Sequence, residues 1–174
     1  SESSGTGAAV APAIITPTKR RKILLLCAGP NDRNTSLYNL LTKAGFECIN
    51  YDTDNGPQFD PTDDVVWDEI KYDIAAGEYV ASFASPECCT FSKVHNLPGP
   101  PPVRGLFGTD RYGLKRNSIK QNEKVRAHTL VAVRVAQALD LFTELRLPWI
   151  FETPAIHAGQ VSMGHLDEYV ALMA

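Results

Sequence analysis

The chain has 174 residues, 44% of them apolar, and a formal net charge of −3. That length suits one domain. The charge gives no overall basic field, so a nucleic-acid partner needs a local patch, and no apolar run reaches the roughly 18 residues that span a membrane.

Residues 1–20 are small, polar and proline-containing, and read as a disordered arm before a folded domain over residues 21–174. The run is polar first and basic last, the reverse of a secretory leader. Together with only four cysteines, this predicts an intracellular, reducing setting rather than a secreted disulfide framework. The basic run Lys19–Lys22 reads as a charged flank before a buried strand, with a nuclear address or a phosphate contact as the alternatives. The first residue is Ser, and "HLDEYVALMA" stops inside a helical pattern, which predicts a piece of a longer protein.

"KILLLCAG" is a continuous apolar run ended by Gly29, as expected of a parallel strand covered on both faces. "NTSLYNLLTKAGF" predicts a helix with Leu37, Leu40 and Leu41 on one face. Asn34 or Thr35 is its expected cap and Gly45 its stop. "FECINYD" reads as a second strand, completing a βαβ unit with a right-handed crossover expected. A turn-rich loop leads to a second helix over "DDVVWDEIKYDIAAG", with Val66, Ile70 and Ile74 inward. "EYVASFAS" is a further strand. Residues 92–117 form a long Pro- and Gly-rich loop of the kind that usually carries function. One long helix follows over 118–146, with Val125, Thr129, Val133, Ala136 and Leu139 at apolar spacing, and "LPWIFETP" is a last strand. Alternating β and α predicts an α/β fold with a doubly wound, mostly parallel sheet.

In such sheets ligands bind beyond the carboxyl ends of the strands. That rule selects "CAGPNDR", "YDTD", "SPECCTFS" and "ETP". Gly29 allows close approach of a ligand to the backbone, and Asp52 suits ribose hydroxyls. Asp60, before a proline, is a weaker candidate and a common turn former. Cys88 and Cys89 lack the spacing of a zinc site, with His95 the nearest imidazole in the sequence, so no metal is expected. Either they are two small buried thiols, or one is a nucleophile, whose strand-end position beside a helix N-terminus or a cation favours a thiolate. Glu152 follows the apolar "PWIF"; burial there would let it hold a proton near neutrality and donate a hydrogen bond to a ring nitrogen.

These pieces, taken together, resemble the cytosine-C5 DNA methyltransferases, in a divergent, phage-like or mobile-element-like branch. "ASPECCTFS" resembles their Pro-Cys loop, "FETP" their Glu-Asn-Val or Glu-Asn-Pro motif, "LLCAGP" their cofactor loop and "YDTD" the acid after the second strand. The resemblance covers residues 22–173. It implies a Rossmann-like fold of the class I S-adenosyl-L-methionine-dependent type, incomplete at the C-terminus, acting on C5 of cytosine in DNA, with RNA not excluded. Aligning on Phe91 and Ser92 makes Cys88 the implied nucleophile and puts Cys89 in the family's Gln position. Glu152 is the implied partner of the cytosine ring. Cys27, Ala28, Gly29, Asp52, Asp60 and Pro86 are the implied cofactor residues, and Ser92 and Arg104 the implied nucleic-acid contacts. Glu87 replaces the second Pro of the Pro-Cys loop, and Thr153 the usual Asn. Two alternatives stay open: a catalytically degenerate module of the same fold that binds nucleic acid or protein, and another nucleotide enzyme that uses Cys88 differently.

Overall fold

The computed structural model describes residues 22–91, 101–154 and 159–174. These form a four-stranded parallel sheet: β1 (Lys22–Leu26), β2 (Glu47–Tyr51), β3 (Tyr79–Ala84) and β4 (Trp149–Phe151). The strand order is β2-β1-β3-β4. The helices are α1 (Leu37–Lys43), α2 (Asp64–Ala75), α3 (Ile119–Glu144) and α4 (Asp167–Leu172), joined in places by single 3-10 turns. The α/β reading with a parallel sheet therefore holds.

The continuous apolar run does what its composition requires. Successive side chains of a strand point to opposite faces. Leu24 and Leu26 join the main core with Tyr51, Tyr79 and Ala84. Ile23 and Leu25 alternate with them and are buried too, so β1 is covered on both faces. Each such leucine contributes about 1.5–3 kcal/mol when fully buried. Trp67, Ile70 and Ile74 of α2 and Ala132, Val135, Ala136, Ala138, Leu139 and Phe142 of α3 complete the core, with Tyr169 of α4. In α2 the inward stripe keeps Ile70 and Ile74 as expected, but its first place goes to Trp67, with Val66 only half-buried. The larger ring takes the deeper place, and the Arg134 guanidinium lies over it.

Helix ends follow their local chemistry. Ser118 and Gln121 form a capping box at the start of α3. Asp63 accepts from Val65 N and Val66 N at the start of α2. Arg134, on the buried side of α3, donates to Pro61 O and Asp63 O and pairs with Asp64, which fixes that start against α3. α1 departs from expectation twice. Its cap is Ser36, not Asn34 or Thr35, because the turn closes through Ser36 N to Arg33 O and the Ser36 Oγ accepts from Asn39 N. No residue of α1 is buried, and Leu40 is exposed: the helix sits beside β2, at the margin of the sheet, where its apolar face finds little to cover it. Gly45 ends it with φ +91°, as the sequence suggests. No helix among the described residues is long and apolar enough to cross a membrane.

Register matters most for function. Tyr51, Leu26, Ala84 and Phe151 are paired in one row across the sheet. The ladder then runs one residue further: Cys27 N donates to Tyr51 O, Ser85 N to Leu26 O and Glu152 N to Ala84 O. Asp52, Cys27, Ser85 and Glu152 therefore leave the sheet at one level. The chain runs from β1 outward to β2, then returns to the other side of β1 for β3 and β4. The crevice between the ends of β1 and β3 is thus the point where connections diverge, the place where open parallel sheets bind ligands.

Candidate functional site

A cavity of about 420 Å³ opens at this point. Cys27 and Gly29 line it from β1, Asp52, Thr53 and Asp54 from β2, Pro61 and Thr62 from the following loop, and Ser85 and Glu87 from β3. His128 and Val131 of α3 close one wall. Its volume falls in the range of about 300–1,000 Å³ usual for small-molecule sites.

The turn after β1 is held by a polar clasp. Asp52 Oδ2 accepts from Gly29 N at 2.9 Å, and its Oδ1 accepts from Asp54 N at 2.9 Å. Each carboxylate oxygen keeps a lone pair for a further donor. Asn50, buried in β2, accepts from Ala28 N at 3.4 Å and donates to Gly29 O and to Asn31 Oδ1, both at 2.8 Å. Asn31 N in turn donates to Asn55 Oδ1. Gly29 adopts φ +79°, a conformation that favours glycine. Cys27 does so at φ 57° as a non-glycine residue, a strained backbone at the cavity wall. Burial, with Asp52, Asp60 and Glu87 nearby, pushes the Cys27 thiol up to about 12, so it lines the cavity as a neutral thiol.

Cys27, Gly29 and Asp52 thus meet at one cavity, as the sequence suggests. Ala28 contributes its backbone N–H to the clasp. Asp60 is used differently: its Oδ1 accepts from Thr62 N and Thr62 Oγ1, each at 2.7 Å, and the neighbours Pro61 and Thr62 reach the cavity. Pro86 is buried and is not among the residues lining the cavity.

Cys88 and Glu152 follow adjacent strand ends. Cys88 begins a tight turn in which Phe91 N donates to Cys88 O. Ser85 Oγ donates to Glu152 Oε2, linking the two loops. Glu152 is exposed, which corrects the expected burial: the three-residue β4 is the edge strand, and its end lies open to solvent. Ser92 and His95 lie outside the described residues.

Arg104 requires the largest correction. It is not a loop arginine available to phosphate but a buried one, 2% exposed. Its guanidinium donates to Thr90 Oγ1, Arg111 O, Thr129 Oγ1 and Val125 O at 2.9–3.1 Å and lies 3.8 Å from the centre of the Phe91 ring. Burial lowers its pKa to about 10, still well above neutrality. The residue fastens the Cys88–Phe91 turn and the 101–117 segment to α3.

Sequence reasoning missed His128. Its ring faces Cys89, with Nδ1 3.6 Å from the sulfur, and its Nε2 lies 3.5 Å from Glu87 Oε2. Burial pulls the His128 pKa down, against the opposing pull of Glu87. Burial pushes the Cys89 thiol up, as does Glu87, while Lys124 acts in the other direction. A signal was present: His128 is three residues after Val125 and four before Ala132, within the inward stripe of α3. No known protein family, curated protein or solved structure was found to match the chain.

Proposed function

We propose that the chain is the S-adenosyl-L-methionine-binding and nucleophile-bearing part of a cytosine-C5 DNA methyltransferase of Rossmann-like, doubly wound type. The observation that carries this reading is the single row of strand ends. It sets a cofactor-sized cavity with the Asp52–Gly29 clasp beside the Cys88 turn and Glu152.

The residues fit such a cofactor in their donor set. Asp52 retains lone pairs toward the cavity, suited to ribose hydroxyls, and an added Cβ at Gly29 would meet nothing within 4 Å, so space remains above the turn. When bound, S-adenosyl-L-methionine supplies an electrophilic methyl group. The Cys88 thiolate adds to C6 of a cytosine extruded from the duplex, forming a C–S bond and moving electron density to C5. Glu152, carrying a proton, would donate a hydrogen bond to N3. Being exposed in the described state, it takes up that role as the nucleotide base covers it and excludes water, with Ser85 holding its other oxygen. C5 would be the acceptor of the methyl group, whose bond to the cofactor sulfur would break and release S-adenosylhomocysteine. Loss of the C5 proton to a base returns the C–S electron pair to sulfur and frees Cys88.

Calorimetry tests the first half: S-adenosylhomocysteine is expected to bind at one site per chain, and absence of binding refutes the reading. Trapping tests the second half. A covalent adduct with 5-fluorocytosine DNA is expected for the unaltered protein and not for Cys88→Ser. An adduct that survives Cys88→Ser and disappears in Cys89→Ser would reassign the nucleophile.

A further inference from the structure

Glu87, Cys89 and His128 bring three donor atoms within 4.8 Å of one another: a carboxylate oxygen, a sulfur and a ring nitrogen. They come from two elements far apart in sequence, the loop after β3 and the middle of α3. Glu87 and His128 also line the cavity. Carboxylate, thiolate and imidazole are all zinc ligands, and three protein ligands with a fourth open position mark zinc sites that stay accessible to a small molecule.

The distances can be compared with what a tetrahedral ion demands. Zinc–sulfur, zinc–nitrogen and zinc–oxygen bonds of about 2.3, 2.05 and 2.0 Å at tetrahedral angles separate sulfur from nitrogen by about 3.6 Å and nitrogen from oxygen by about 3.3 Å. From His128 Nε2 the observed separations are 3.9 Å to Cys89 Sγ and 3.5 Å to Glu87 Oε2. Both exceed the ideal edges by a few tenths of an ångström. The exposed Glu87 side chain can close the oxygen–nitrogen edge, and a small rotation of the Cys89 or His128 side chain the sulfur–nitrogen edge. The sulfur lies nearer still to Nδ1, at 3.6 Å, so either ring nitrogen is within reach of the ion. Lys124 is a competing contact: its exposed side chain also reaches the Cys89 sulfur.

We propose that Glu87, Cys89 and His128 form a binding site for a zinc-class divalent cation, with its fourth coordination position facing the cavity. The ion displaces Lys124 from the sulfur. Cys88, although adjacent, takes no part. The site stands independently of the methyl-transfer reading, because it is read out by metal binding alone.

The full chain, purified and reduced, is titrated with cobalt(II) as a spectroscopic probe and with zinc against a metallochromic indicator. One ion per chain is expected, with a thiolate-to-cobalt charge-transfer band and the visible bands of tetrahedral geometry. Cys89→Ser is expected to remove the charge-transfer band. His128→Asn and Glu87→Gln each weaken zinc binding by at least about tenfold. Cys88→Ser retains both band and affinity, and Lys124→Ala binds more tightly. Glu87 is exposed, so Glu87→Gln tests the site without a folding penalty, and circular dichroism checks the other variants. Failure of the unaltered protein to bind either ion overturns the proposal. So does a charge-transfer band that follows Cys88 rather than Cys89, or zinc affinity unchanged in Glu87→Gln and His128→Asn together.

Discussion

Replacing Arg104 by alanine separates two roles that its place in the sequence confuses. As a phosphate contact, it would matter for DNA binding and hardly at all for folding. As the structure has it, the guanidinium makes hydrogen bonds to Thr90, Arg111, Thr129 and Val125 and stacks on Phe91. Each such bond contributes about 0.5–1.5 kcal/mol net, and a desolvated cation–π contact about 2 kcal/mol. Relief from burying the charge offsets part of this, and Val125 O keeps a partner in Thr129 Oγ1. The expected net loss is about 3 kcal/mol, the upper end of the ordinary range for single substitutions. For a chain of this size that lowers Tm by roughly 6–12 °C. Thermal and denaturant unfolding of Arg104→Ala and Arg104→Lys measure it. Lysine keeps the charge but cannot form the fork of donors, so it is expected to recover less than half the loss. An Arg104→Ala protein with unaltered Tm but weaker, less salt-dependent DNA binding would refute the structural role.

Gly29→Ala is expected to cost about 1–2 kcal/mol despite open space around the position, because φ +79° opposes any Cβ; the denaturant midpoint measures it. Asp52→Asn replaces one of two acceptor oxygens by a donor facing a backbone N–H, and is expected to lose about 1–3 kcal/mol of stability with an unchanged denaturant slope. The same variant is expected to weaken S-adenosylhomocysteine binding in calorimetry. Alkaline stability follows from Cys27. Its thiol is raised from 9.0 to about 12 in the fold, so above pH 9 the unfolded chain loses that proton first and binds fewer protons than the native state. Stability is therefore fully retained below about pH 9 and falls as pH rises toward 12. Burial raises Tyr79 and Tyr169 as well, which adds to the same trend. Urea unfolding between pH 8 and 11 checks the fall, and Cys27→Ser is expected to make it shallower.

Local pattern alone determined the parallel-sheet architecture. The apolar run of β1, the stop at Gly45, the long stripe of α3 and the alternation of strand and helix are short-range properties, and each element obeys its own composition. The strand-end rule then located Cys27, Gly29 and Asp52, because a parallel sheet presents all its carboxyl ends on one edge. What the sequence could not decide was which polar side chains turn inward. Arg104 lies in a Pro- and Gly-rich stretch that looks solvated, yet the carbonyls of Val125 and Arg111 and the hydroxyls of Thr129 and Thr90 draw it into the interior. Glu152 follows an apolar strand and looks shielded, yet that strand is the edge of the sheet. Cys89 and His128 are 39 residues apart, and only the packing of α3 against β3 and β4 brings His128 within reach of Cys89 and Glu87. Pairing between distant side chains depends on crossing and register of whole elements, a three-dimensional property that no local spacing encodes.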